Sequence, residues 1–236
     1  MKNDLGWQDM SNYQKQSVMT YLFRVQLLAL LAGIGRFAAN IYAEVVVYNK
    51  FDEVTESDFA AFLSKPNLFA NIFGTMGFFL TGMAIVALLR LRPLDAGFKT
   101  AVIFGVFYLA FKLGGDIAVQ SDLTIAKLIA LIGTVVFGIL YYRLYTGAMI
   151  DIQELQTAGV SENWKVFRRT VTQSYIVRCC FAVGIVTRLF SHEHSVKEDF
   201  FETALFLTAY LVIELIVLIM EVRVLWKSKK VYDELG

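Results

Sequence analysis

Six apolar stretches, at about 19–42, 68–89, 101–120, 123–150, 171–190 and 203–226, dominate this chain and restrict it to few folds. A bilayer core roughly 30 Å thick is crossed by about 20 apolar residues in a helix. Backbone in hydrocarbon must satisfy its own hydrogen bonds, which leaves only helices and closed barrels. Barrel strands would alternate in short segments, and these stretches do not. Only 18% of residues are charged, against about a quarter in soluble domains. Two prolines in 236 residues leave the stretches free to be continuous helices. The expected fold is an all-α integral membrane protein with six transmembrane helices, arranged as three consecutive helical hairpins.

Charge placement sets the expected orientation. Lys2, Lys15, Arg90, Arg92, Lys99, Arg143, Lys165, Arg168, Arg169, Arg223, Lys227, Lys229 and Lys230 all fall on one side of such a bundle. The opposite connections hold only Lys50, Lys65 and Lys197, among many acids. Basic loops stay cytoplasmic, which predicts both termini inside and residence in the plasma (inner) membrane. The polar opening lacks the apolar run and cleavage site of a signal peptide. The domain plan is a cytoplasmic amphipathic segment at 1–18, the six-helix domain at 19–226 and a basic tail at 227–236.

Several connections carry local signals. Thr55-Glu-Ser-Asp58 resembles a capping box, and Phe59, Phe62 and Leu63 follow on one face. This predicts a short amphipathic helix lying at the interface. Trp7, Met10 and Tyr13 suit a second one. Gly159 is placed to end an extension of the fourth helix and Ser161 to cap the fifth. Arg36, Lys112 and Arg188 are spaced by 76 and 76 residues. That fits a threefold hairpin repeat, and it equally fits independent snorkelling anchors.

Charged groups inside the membrane need partners or a purpose. Arg36, with Asn40 one turn on, is expected in the outer half of the hydrocarbon, at the level of Asn67, Asn71 and Thr75. Lys112 and Asp116, four apart, form a pair on one helix face. With Lys127 and Arg188 they outline an outward, net positive path that draws anions, or else a set of separate anchors. Arg178 and Glu214 lie nine residues from Arg169 and Arg223, which predicts an ion pair in the inner half. Ala126, Ala130, Thr134 and Gly138 make a small-residue face for close helix packing, within one chain or between copies.

Catalytic motifs are missing. His192 and His194 are the only histidines, and their i, i+2 spacing does not place two ligands on one helix face. The adjacent Cys179 and Cys180 imply no disulfide framework. No phosphate loop, nucleophile elbow or zinc-protease helix occurs. No metal, cofactor or nucleic-acid partner is therefore expected, and an enzyme is the weaker expectation. Two readings remain. One is a small channel or transporter for an ion or small polar, especially anionic, solute. The other is a non-catalytic subunit or assembly scaffold of a larger membrane complex. Partners would be the lipid bilayer and further copies of the chain or other membrane subunits.

Overall fold

The computed structural model describes residues 11–50, 56–119, 124–189 and 196–235, and side chains outside 47–67, 115–128, 181–182 and 184–204. Every regular element among them is helical: α1 (Asn12–Lys50), α2 (Glu56–Ala87), α3 (Gly97–Val119), α4 (Thr124–Asp151), the short α5 (Gln153–Thr157), α6 (Ser161–Leu189) and α7 (Val196–Leu235). Five of these, α1, α2, α3, α4 and α7, are long and apolar enough to cross a membrane. The helix α6 has 29 residues, ample for a crossing, but its first half is polar. The helices outrun the apolar stretches because backbone hydrogen bonding continues into the polar flanks, where side chains can be solvated. The segment at 56–65 is therefore the start of α2 rather than a separate interfacial helix. Trp7, Met10 and the two histidines lie outside the described residues.

Each long helix packs on the next along the chain, and α7 returns to α1, which closes a ring. The α1–α7 seam is antiparallel over its whole length. Asn12 donates to the carbonyl of Leu235 and Gln16 to Asp233, so the start of α1 and the end of α7 share one end of the bundle. Further along, Gln26 donates to Glu221, and Thr208 donates to Glu44.

The connection between α4 and α6 also sits at this terminal end. Ile152 adopts an extended conformation that stops α4. Gly159, at φ +70°, ends α5 rather than α4, in the left-handed region where a Cβ is disfavoured. Val160 N–H reaches back to Leu155 O, and α6 starts at Ser161. Lys15 of α1 pairs with Glu154 of α5. Partial burial acts to raise the Glu154 carboxyl, but the Lys15 ammonium outweighs it and holds the group below the usual carboxylate value.

The described core is concentrated toward this same end. Trp164, Phe167, Tyr141, Tyr145, Phe98 and Tyr232 are all fully buried there. Trp164 donates to Ser228 of α7, and Lys227 donates to Asn163, which locks α6 against α7. Tyr108, Tyr141, Tyr142 and Tyr175 form a connected aromatic layer between α3, α4 and α6.

Of the expected small-residue face, Ala130 is buried, and Thr134 donates to the Ala130 carbonyl. Gly138 faces the Tyr175 ring of α6, within the same chain; the Ala126 side chain lies outside the described set. A Cβ on Gly138 would sit 2.6 Å from that buried ring, too close to tolerate. Gly138→Ala is expected to cost about 1–3 kcal/mol by overpacking. Gly77→Ala, where a Cβ meets nothing within 4 Å, is the control and should be near neutral. Melting curves in detergent compare the two; equal melting points would show that α4 and α6 do not meet at Gly138.

Candidate functional site

Glu214 lies in the middle of α7 and is the meeting point of three helices. Arg36 of α1 places Nη1 3.7 Å from Glu214 Oε2, and Lys112 of α3 places Nζ 3.6 Å from Glu214 Oε1. Both separations exceed a direct hydrogen bond, so the attraction is Coulombic, with room for a bridging water. The cluster borders a cavity of about 40 Å³ lined by α1, α2, α3 and α7. That volume suffices for at least one water, which occupies roughly 10–15 Å³ on this measure.

Small residues create the cavity. Ala29 and Gly33 on α1 and Gly74 and Gly77 on α2 line it with the charged trio. A Cβ on Gly74 would lie 3.5 Å from Arg36 Nε, in ordinary contact, so α2 passes directly beside the guanidinium here. The side chains of Arg36, Lys112 and Glu214 are 30%, 21% and 21% exposed, so the trio is accessible rather than sealed.

Arg178 departs from the expected pairing. It is buried, and its guanidinium packs against the rings of Tyr175 and Tyr210, at 5.4 and 5.1 Å. Among the described residues the ion partners of Glu214 within 4 Å are Arg36 and Lys112, although the Arg178 charge also acts on it through space. Arg178 Nε is buried without a hydrogen-bond partner. The expected separation into outer and inner charge groups also fails. Arg36 lies twelve residues from Arg24 and Glu214 nine from Arg223, about 18 and 13 Å from the terminal boundary, so their depths differ by only a few ångströms. A long arginine side chain spans that difference, so the two groups merge.

The remaining expected site residues fall in different places. Lys112 pairs with Glu214, while the Asp116 and Arg188 side chains lie outside the described set. Asn40 donates to the Arg36 carbonyl on its own helix, which satisfies its amide locally. Asn71 and Thr75 are exposed and do not reach the cluster. Cys179 and Cys180 are free thiols.

A fully buried carboxyl was missed by sequence reasoning. Glu221 is 0% exposed and accepts from Gln26 Nε2 at 3.1 Å and Tyr142 Oη at 3.5 Å. It stands two residues before Arg223, one of the basic residues that mark the boundary, so its position along the chain does not reveal its burial. The available signal was spacing: Glu214, Glu221 and Ser228 recur every seven residues and so share one face of α7. That face carries a polar column down the bundle axis, from Glu214 through Glu221 to the Ser228–Trp164 bond. Among the described residues no cluster of His, Cys, Asp and Glu could hold a metal ion.

Comparison with protein-family models, curated proteins and solved structures finds no match for this chain. Function must therefore be argued from the site itself.

The arrangement predicts an asymmetric mutational response. Glu214→Gln leaves Arg36 and Lys112 without their counter-charge; breaking a fully buried pair typically costs about 3–5 kcal/mol, and the partial exposure of this trio brings the loss below that. Lys112→Met leaves Arg36 in place and should cost less. Arg178→Gln forfeits ring contacts of about 0.5–2 kcal/mol each. Thermal melts in detergent should rank Glu214→Gln as the most damaging. A larger loss from Arg178→Gln would mean that Arg178, not the trio, carries the balance.

Proposed function

We propose that this protein is a small multi-pass membrane transporter or channel for small anions, with Arg36, Lys112 and Glu214 as its central site. The observation that carries this reading is the convergence of the three on one water-sized cavity in the middle of the ring. A purely structural ion pair has no need of surplus cation. Among the described residues two cations face one carboxylate, and Arg178 adds a third positive charge nearby. Positive potential in a low-dielectric channel concentrates anions. Glu214 offsets part of that charge, which keeps a bound anion from being held too tightly to leave.

In this reading α6 is a sixth span, the helices form three hairpins, and both termini are cytoplasmic, which the bias of basic residues toward one side supports. The aromatic layer of Tyr108, Tyr141, Tyr142 and Tyr175 closes the path toward the terminal end. Glu221, Gln26 and Tyr142 continue the polar column behind that layer. Passage requires the layer to part, through a rocking of α6 and α7 against α1 and α4.

The scaffold reading has one observation in its favour. The α2 face that carries Phe69, Ile72, Met76, Phe79, Met83 and Val86 is exposed at helical spacing, as a surface for another membrane subunit would be. The same face suits lipid.

Reconstitution in liposomes separates the two. The purified protein should pass small monovalent anions, read by an entrapped halide-sensitive dye, well above empty vesicles. Arg36→Gln and Lys112→Met should each lower that flux at least tenfold while the protein remains folded by circular dichroism. Folded protein that passes neither anions nor cations would overturn the transport reading.

A further inference from the structure

The ring has one loose joint. Among the described residues its long helices pack closely on their neighbours except α2 and α3, which make the sparsest contact of the six pairs. At the terminal end they touch: a Cβ on Gly105 would come within 2.9 Å of Ile85. At Gly82 the approach relaxes to 3.6 Å from Leu109. Farther along, a Cβ on Gly77 or on Gly114 meets nothing within 4 Å. The two helices therefore splay apart with distance from the turn that joins them.

The splay is associated with a groove of about 410 Å³ lined chiefly by Phe78, Gly82, Met83 and Val86 of α2 and Val106 and Leu109 of α3. That size is within the usual range of ligand pockets, roughly 300–1,000 Å³. Its walls are apolar except at the terminal end, where Arg90 lines it and lies over the Tyr21 ring at 5.8 Å. Met83 and Val86 are exposed on the outer surface of the bundle, so the groove opens sideways into the bilayer rather than into water. Arg90 stands at the end of the apolar span Leu68–Leu91, the depth at which headgroups begin.

We propose that this groove binds one anionic amphiphile, with an acyl chain along α2 and α3 and its acidic head on Arg90. An acyl chain matches the apolar walls, and the single cation sits where the head of an inserted lipid lies. Basic positions between helices at the membrane boundary recognise acidic lipid heads in this way. A phosphate of a phospholipid and the carboxylate of a free fatty acid share this chemistry. The site is independent of the anion path, because its lining shares no residue with the Arg36–Lys112–Glu214 cavity.

Native mass spectrometry of the detergent-purified protein tests the proposal. Phosphatidylglycerol, phosphatidylcholine and oleate are each added at equal concentration. The expected result is one retained anionic molecule per chain, with phosphatidylcholine retained at least fivefold less. Arg90→Gln should erase that preference, and Gly82→Phe should lower occupancy by every amphiphile by filling the groove. Both changes fall at accessible positions, and an unchanged melting temperature checks that each variant is folded. If oleate displaces phosphatidylglycerol at equal concentration, the ligand is a fatty acid anion; if it does not, the ligand is a phospholipid. Equal retention of phosphatidylcholine, or a headgroup preference that survives Arg90→Gln, would overturn the proposal. Occupancy that survives Gly82→Phe would place the lipid elsewhere and overturn it as well.

Discussion

A carboxylate in the middle of a membrane-spanning helix must find positive charge on another helix, and this bundle is arranged around that requirement. Glu214 belongs to the last helix, Arg36 to the first and Lys112 to the third. Meeting them brings the chain's end back to its beginning. The seam between α1 and α7 then fixes register through polar contacts above and below, from Thr208 with Glu44 to Gln26 with Glu221. Hydrophobic attraction does not align helices in lipid, where tails are as apolar as leucine. Packing and polar contacts must do so. The sequence answers with a small residue where two helices meet closely, as at Gly138 beneath Tyr175.

The described packing is uneven along the axis. The terminal end holds the large aromatic residues, the Trp164–Ser228 bond and the tie between Lys15 and Glu154. The charged trio lies beyond this dense region, with partly accessible side chains. Cooperative core packing makes the terminal end the stable part of the bundle, while the looser α2–α3 joint belongs to its more yielding part. The charged middle is thus held between a rigid end and a more yielding one, so the helices around the trio can shift while the fold persists.

Much of this was legible in the sequence, and the failures have physical causes. Apolar length gave the helical class, because hydrocarbon leaves the backbone few alternatives. Arg36, Lys112 and Glu214 stood out individually, since a charge in an apolar run always needs an explanation. Their grouping did not, because depth counted along a helix says nothing about which face a side chain takes around the ring. Arg178 and Glu214 matched in depth, yet Arg178 found aromatic rings while Arg36 and Lys112 took the carboxylate. Glu221 was obscured by neighbouring Arg223, although its seven-residue spacing from Glu214 was available. Helix ends were misjudged where polar flanks continue the helix, as at 56–65, because apolar content marks the membrane and not the hydrogen-bonded segment.

The central claim is that the cavity at Arg36, Lys112 and Glu214 is wet and reached from the side opposite the termini. Gly77 lines that cavity and has open space above its Cα, so a cysteine fits there without disturbing the trio. The direct measurement is labelling of Gly77→Cys by a membrane-impermeant thiol reagent, with Cys179 and Cys180 replaced by serine. Oriented membranes allow each side to be exposed in turn. The account predicts labelling from the non-terminal side, slowed by excess small anion, and little from the terminal side. A cysteine that stays unlabelled from both sides in folded protein would show a dry, closed ion pair and contradict it.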